Sequence, residues 1–374
     1  MKIRNYFTRP DRRPPKSKDR GEIEEILRKS SLAPLNAVAN ICGAKIELRT
    51  DSKHVYQYWC LNWEIVQDPA DGVIWVINGV EGYDPHLFYN LETKTILIVN
   101  SEYYGAVKSA GALGLAGVIL KKKYPIHGAC VGYGDWVYGD WMNGVIIIAP
   151  IGTGKTTQSH ELLYSVPGTK VHSDDYVFAS FFEGLPVACA TEMQLYMRTD
   201  IAKGHPTFIP RFEKLPNENV RDNCYWAYGN SRVMFPRHMF PCMVKDKIGR
   251  LIEQEKGEEN VTNRAIIRYI FLLTRDKDTP PVTMLSLEKA IEVLKEGKYT
   301  IRPGAGPEEK WGAIGYEPWY NPYPPEIDSD RQEKFFGKLY RCGVRYYLLN
   351  TGSYKGVNIQ PHQTHMYIRH ILQV

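Results

Sequence analysis

A glycine-rich loop near the middle of the chain carries the residue types that bind phosphate groups. The apolar run at 145–148 predicts a buried strand, and the loop after it leads into a predicted helix. Backbone N–H groups at such a helix start bind phosphate oxygens, an ammonium neutralises the outer phosphates, and a hydroxyl coordinates magnesium. The alternative is a simple turn between strand and helix. The predicted binding residues are Gly152, Thr153, Gly154, Lys155, Thr156 and Thr157.

Two neighbouring carboxylates follow the next predicted strand, at 169–172. Asp174 and Asp175 follow this strand after Ser173, at a place where carboxylates suit the metal ion that accompanies bound phosphates. The structural alternative is a solvated turn or a helix cap. The loop and the aspartate pair together predict a site for a polyphosphate and its metal.

Composition limits the class of protein. With 374 residues, of which 43% are hydrophobic, the chain is expected to bury a substantial core in two lobes. The longest apolar stretch, 110–120, is shorter than the roughly 20 residues that cross a bilayer, so it predicts a buried helix and no membrane contact. The polar, basic start favours a cytoplasmic location, and seven scattered cysteines predict reduced thiols.

The formal net charge of +5 does not predict a nucleic-acid partner. Much of this charge lies in residues 1–20, which we interpret as a basic flexible tail, with RNA or an acidic partner as the alternative. Residues 21–132 are predicted to form an N-terminal α/β substrate lobe, and residues 133–374 a second lobe. The Gly- and Pro-rich segment 302–325 predicts either a closing lid or a linker.

Several separated segments resemble phosphoenolpyruvate carboxykinase of the ATP-using type, from about residue 90 to the end. This resemblance implies an α/β fold of two lobes, with a P-loop nucleotide-binding C-terminal lobe and ATP, or GTP, as co-substrate. HPr kinase is a more distant relative. The matching segments are the loop at 149–157, Asp174-Asp175, the stretch 230–236, residues 270–276 with 280–282, residues 348–352, Thr364, and Tyr103-Tyr104-Gly105 with Lys108 and, nineteen residues later, His127.

The resemblance assigns metal and nucleotide ligands. Thr156 would hold Mg²⁺ with Asp174 in its shell, and Thr364 would contact the nucleotide. A second ion, such as Mn²⁺, would be bound by Lys108, His127 and Asp175, which requires a neutral lysine and a neutral histidine. The structural alternatives are a surface lysine and a packed core histidine.

The reaction implied by the resemblance converts oxaloacetate and ATP to phosphoenolpyruvate, ADP and CO₂. Lys155 and Arg232 would stabilise the transferred phosphoryl group and the enolate, and we prefer this role of Arg232 to the alternative of a structural salt bridge. Arg49 and Tyr104 are the candidates for binding the substrate carboxylate, and the match around Arg49 is poor because the family's glycine and proline are absent.

Two other functions remain open at this level. A kinase of the same superfamily would phosphorylate another small molecule or a protein hydroxyl, with His127 or an aspartate as general base. A non-enzymatic protein would sense nucleotide through the loop and bind RNA through the basic tail. The sequence predicts no oligomeric state.

Overall fold

The computed structural model is a mixed α/β structure and describes residues 20–29, 33–150, 152–203, 208–209, 215, 232–254, 257–301, 308–320 and 329–374. Among these residues, no helix combines the length and the apolar character needed to cross a membrane. The α-helices are α1 (Arg20–Lys29), α2 (Lys53–Asn62), α3 (Tyr104–Ala106), α4 (Gly114–Ile119), α5 (Lys155–Ser165), α6 (Leu287–Glu296), α7 (Ser329–Arg341) and α8 (Pro361–Leu372), with a π-helix at Val107–Leu113 and 3₁₀ turns at Thr199–Lys203, Arg237–Met239, Gly257–Asn260, Glu308–Lys310 and Pro318–Tyr320.

The strands of the described residues form two large sheets and four two-stranded sheets. They are β1 (Leu35–Ile41), β2 (Ala44–Thr50), β3 (Glu64–Val66), β4 (Gly72–Ile77), β5 (His86–Asn90), β6 (Thr95–Val99), β7 (Tyr124–Tyr138), β8 (Trp141–Ile148), β9 (Lys170–Ser173), β10 (Tyr176–Phe182), β11 (Leu185–Cys189), β12 (Gln194–Arg198), β13 (Arg232–Pro236), β14 (Cys242–Lys245), β15 (Leu251–Gln254), β16 (Arg264–Thr274), β17 (Val282–Leu285), β18 (Lys298–Thr300), β19 (Ile314–Tyr316), β20 (Arg345–Asn350), β21 (Ser353–Tyr354) and β22 (Val357–Asn358).

The chain divides into two compact units, and the N-terminal unit takes its described residues from Met1–Lys122 and Glu192–Pro236. Its six-stranded sheet has the order β3-β1-β2-β4-β6-β5, with β2, β4 and β6 parallel to one another. Helix α1 places Ile23 and Ile26 in a core with Ile77 and Leu97 of this sheet. The spacing of these apolar residues along α1 gives it the one buried face that a surface helix needs.

The C-terminal unit takes its described residues from Lys123–Thr191, Arg237–Pro322 and Ile327–Val374. Its main sheet has the order β11-β10-β7-β8-β16-β20-β17, and β9 pairs with β7. Strand β11 also pairs with β16, so that five strands close into a ring. Strands β8, β16 and β20 are parallel neighbours, and their carboxyl ends therefore share one edge.

The domain boundaries differ from those predicted. The boundary expected between 132 and 133 would cut β7, whose residues pair with β8 from Gly128 to Tyr138. The unit boundary lies instead after Lys122, and the segment Glu192–Pro236, predicted in the C-terminal lobe, belongs to the N-terminal unit. This return of the chain is a tertiary feature that composition does not reveal.

Two predicted segments are described only in part. Residues 1–19 of the predicted tail lie outside the described residues, and Arg20, its last residue, begins α1. Of the predicted lid or linker at 302–325, only 308–320 is described. This part includes β19, which pairs with β18, so it contains some regular structure where none was predicted.

Candidate functional site

The predicted phosphate loop connects β8 to α5 as expected. Gly152 and Gly154 both have left-handed backbone, with φ of 82° and 105°, which favours glycine at these positions. Gly154 is the N-cap of α5 and offers no side-chain acceptor, so the first N–H groups of the helix have no side-chain cap. The hydroxyl of Thr351, just after β20, donates to the Thr153 carbonyl at 2.7 Å and braces the loop. Ile151 lies outside the described residues.

Three strands bring predicted residues to the same edge of the sheet. Strand β9 runs antiparallel to β7, as β8 does, so the carboxyl ends of β8 and β9 lie together. Asp174 and Asp175 directly follow β9, and Gly128 of β7 pairs with Ile148, the last residue of β8. His127, the neighbour of Gly128, is therefore placed beside the start of the loop. Polar groups at the carboxyl ends of parallel strands are the usual components of ligand sites in α/β sheets.

Asp175 joins two of the predicted catalytic residues. Its Oδ1 atom pairs with Lys155 Nζ at the start of α5, and it lies 3.3 Å from His127 Nε2. The His127 ring also stacks on Tyr176, with 5.1 Å between centroids. The cluster of Lys155, Asp175 and His127 thus combines an ammonium, a carboxylate and an imidazole within one unit.

The carbonyl of Tyr320 fixes one proton position of His127. His127 Nδ1 lies 2.9 Å from this oxygen, and a carbonyl can only accept, so Nδ1 must carry a proton. In the neutral ring, Nε2 then presents a lone pair to Asp175. Trp319 and Tyr320 both adopt left-handed backbone, with φ of 61° and 49°, which is uncommon for two consecutive aromatic residues. Such local strain is typical of positions that a functional site constrains.

His127 and Asp175 fit a divalent cation, whereas a larger metal cluster is not evident. Two electron-pair donors 3.3 Å apart suit a shared cation, and Mg²⁺ is commonly held by one or two carboxylates plus phosphate oxygens. Among the described residues, no group of three or more His, Cys, Asp or Glu side chains is arranged to hold a metal. Thr156 and Thr157 are exposed on the first turn of α5, and Asp174 is buried.

Lys108 and Tyr104, predicted as metal and substrate ligands, belong to the N-terminal unit and are buried there. Lys108 Nζ lies 3.0 Å from Glu192 Oε1, a contact that occupies the atom needed for metal coordination. The Tyr104 side chain is fully buried, and burial raises the pKa of its hydroxyl. The structure therefore gives both residues internal contacts, and their ligand roles stay predictions.

The two predicted arginines occupy different strands of the N-terminal unit. Arg49 lies within β2, where its Nε is 2.9 Å from Glu47 and its guanidinium stacks over Trp75 at 5.0 Å. The guanidinium of Arg49 is therefore already engaged by neighbours on the sheet face. Arg232 is the first residue of β13, and its side chain lies outside the described part of the structure.

Thr364, predicted to contact the nucleotide, has a buried position. It lies in α8 and is fully buried, with His365 and Ile368 buried on the same helix. Gln158 of α5 donates to the Pro361 carbonyl at 3.0 Å and ties the start of α8 to α5. Thr364 thus packs inside the C-terminal unit, and its nucleotide contact stays a prediction.

Sequence reasoning missed Glu192, Asn62 and the Tyr320 carbonyl. Glu192 and Asn62 stand in no motif, and the Tyr320 contact is made by a backbone atom 193 residues away from His127. Only the Pro- and aromatic-rich composition around 319–325 marked that segment as unusual.

Comparison with known proteins leaves the family open. No protein-family model matches the chain, and no curated protein matches it.

Proposed function

We propose that the chain transfers a phosphoryl group from a nucleoside triphosphate at the site formed by Lys155, Asp175 and His127. The position of Lys155 is the observation that supports this most. Its ammonium lies at the start of α5, directly after two glycines with left-handed backbone, and pairs with a carboxylate at the same sheet edge. This combination suits a triphosphate and its metal better than a structural ion pair alone.

Each residue of the site would have a defined task. The N–H groups of the loop and of the first turn of α5 would bind phosphate oxygens, and Lys155 would neutralise the transferred group. Thr156, Asp175 and His127 would hold Mg²⁺ or Mn²⁺, with the buried Asp174 beside them. The metal, when bound, supplies positive charge that stabilises the phosphate oxygens.

The resemblance to the two-lobed carboxykinase fold suggests oxaloacetate as the carbon substrate. Phosphoenolpyruvate would then form when the enolate left by decarboxylation attacks the γ-phosphate. Arg232 would stabilise the developing charge, since a guanidinium presents paired donors to an oxyanion. A small carboxylate-bearing substrate is thus the first acceptor to test.

A second candidate, a kinase with another acceptor, is favoured by the N-terminal unit. Tyr104 is fully buried and Lys108 is paired with Glu192, so two residues that the carboxykinase assignment uses have other contacts. Arg49 is likewise engaged by Glu47 and Trp75. These contacts leave the phosphate site unchanged and alter only the expected acceptor.

Phosphorus NMR tests both candidates. Purified protein is mixed with ATP, Mg²⁺, Mn²⁺ and oxaloacetate, and the spectrum is followed with time. A phosphoenolpyruvate signal that requires oxaloacetate supports the carboxykinase reaction, whereas nucleotide binding without this product favours the other acceptor. Lys155→Ala is expected to reduce turnover about 10²-fold, or about 3 kcal/mol, and the exposed-lysine control Lys289→Ala to leave it unchanged. Equal turnover of wild type and Lys155→Ala contradicts the proposal.

A further inference from the structure

The described part of the predicted lid or linker contacts the candidate site through a backbone atom. This part ends at Tyr320, whose carbonyl oxygen lies 2.9 Å from His127 Nδ1 in a buried contact. Both residues belong to the C-terminal unit, which also contains Lys155 and Asp175. Whatever fixes the Tyr320 carbonyl therefore also fixes the orientation of the His127 ring within this one unit.

Several contacts hold Tyr320 in place. Its backbone N–H donates to the Glu317 carbonyl at 2.7 Å, and its hydroxyl donates to the Lys298 carbonyl at 3.3 Å. The preceding ring, Trp319, is stacked on Phe336 with 5.8 Å between centroids and 6° between the ring planes. Tyr320 and Trp319 are only 2% and 6% exposed. The turn that ends at Tyr320 is therefore a packed part of the unit, and its opening would break all of these contacts.

Gly297, at the end of α6, sets the position of this turn, which consists of Glu317–Tyr320. The Gly297 carbonyl accepts from the Glu317 N–H at 2.9 Å, and Gly297 has left-handed backbone with φ of 55°. A Cβ atom at Gly297 would collide with the Glu317 carbonyl and lie 2.8 Å from Pro318 N. Because these are backbone atoms, a larger residue at Gly297 must displace the turn.

The position of the turn determines which nitrogen of His127 a metal ion can use. The Tyr320 carbonyl only accepts, so the proton stays on Nδ1. The other nitrogen, Nε2, lies 3.3 Å from Asp175 Oδ1. Metal-binding histidines almost always donate their second N–H to a carbonyl, carboxylate or water, and loss of this support weakens metal binding about 10- to 100-fold.

We infer that Gly297 is a positioning residue, which through the turn Glu317–Tyr320 holds His127 with its proton on Nδ1 and with Nε2 facing Asp175. The inference rests on the phosphoryl transfer proposed above, in which His127 and Asp175 hold a divalent cation. It gives the turn the role of a fixed support for a metal ligand, in place of the lid that composition suggested.

Metal titration of two glycine variants tests the inference. Gly343, two residues after α7, is the matched control, because its φ is 87° and a Cβ atom there would meet no atom within 4 Å. Mn²⁺ alone is titrated by electron paramagnetic resonance into the full chain. Gly297→Ala is expected to weaken the Kd for Mn²⁺ at least about tenfold, and Gly343→Ala to keep it within about twofold. Equal Kd values for wild type and Gly297→Ala would overturn the inference.

Nitrogen NMR of the wild type needs no variant that folds poorly. The metal-free full chain, labelled with ¹⁵N-histidine, is measured at alkaline pH, where imidazole rings are neutral, and the spectrum of His127→Gln assigns the His127 signals. We expect a protonated Nδ1 and an unprotonated Nε2 in His127, and a mixture of both tautomers in Gly297→Ala. A proton on Nε2 of the wild type contradicts the inference.

The two measurements also separate this inference from the proposed function. If the wild type shows the expected tautomer and Gly297→Ala loses it, yet the wild type binds no Mn²⁺ and transfers no phosphoryl group, the proposed function fails. The hold of Gly297 on His127 is then still supported. If the wild type binds Mn²⁺ but the His127 tautomer is the same in wild type and Gly297→Ala, the proposed metal site stands and the role of Gly297 is wrong.

Discussion

Two lysine–carboxylate pairs, one in each unit, have the same chemistry and different surroundings. Lys155 and Asp175 have side chains 11% and 27% exposed, whereas those of Lys108 and Glu192 are 1% exposed. An ion pair that is exposed to water exchanges partners at a small cost in free energy, whereas a buried ion pair does so at a large cost. Exposure therefore distinguishes the lysine of the proposed phosphate site from a lysine that is buried within its own unit.

The largest expected difference between the pairs is in stability. Lys108→Met leaves Glu192 charged and buried, and we expect it to lower the free energy of unfolding by about 3–5 kcal/mol. Lys155→Met at the more exposed pair is expected to cost about 1 kcal/mol or less. Urea denaturation of both variants measures the difference, and equal losses would remove the distinction.

A second contrast between the units is their response to acid. In the C-terminal unit, burial lowers the pKa of His172 to about 3 and that of His365 to about 4, helped by Arg237 and Arg369 respectively. A histidine in the unfolded chain has a pKa near 6.5. At lower pH the unfolded chain therefore binds protons that the folded chain does not, so the free energy of unfolding falls as the pH falls towards 4. Each histidine contributes up to about 1.4 kcal/mol per pH unit in this window.

Asp51 of the N-terminal unit acts in the opposite direction. Burial raises its pKa, although hydrogen bonds from Asn78 oppose the shift, so its contribution to stability is lost as pH rises through the folded pKa. Urea denaturation at pH 7, 6 and 5 checks the histidine effect. His365→Gln is expected to reduce the slope with pH, and an unchanged slope would contradict the role of this histidine.

The smallest expected effect tests whether Tyr104, which is buried in the same unit as Lys108, is out of reach of the substrate. Tyr104→Phe removes one buried hydroxyl and is expected to lower the free energy of unfolding by about 1 kcal/mol, without changing any substrate KM. Tyr316→Phe, at a ring that is 63% exposed, is the control and should change neither quantity. A higher KM for the carbon substrate in Tyr104→Phe would show that Tyr104 reaches the substrate after all.

Local signals in the sequence predicted the elements that depend on neighbouring residues. Helix α6 begins at the Ser286 cap, which accepts from Lys289 N, and ends at Gly297 with φ of 55°, and both are residue types that favour these helix ends. The strand before Gly152 and the helix from Lys155 are confirmed for the same reason: each is specified within about ten residues.

Contacts between distant segments were the part that sequence could not provide. Tyr104 and Thr364 have residue types suited to a ligand, but their burial depends on how α3 and α8 pack. No local sequence pattern marks Glu192, because its contacts are with Lys108 and Asn62, which lie far away in the sequence. The boundary at 132/133 was wrong for a related reason, since β7 is defined by its pairing with β8 and not by a change in composition.

The discontinuous N-terminal unit has a consequence for synthesis of the chain. Asn62 and Glu192 are 130 residues apart, and at about 5–20 residues per second the ribosome needs on the order of 10 s to produce the second after the first. During this interval Glu192, the buried partner of Lys108, and strand β12 are not yet available to the N-terminal unit. The nascent N-terminal segment should therefore depend most on chaperones just before Glu192 emerges, and a fragment ending at residue 122 should aggregate more readily than the full chain.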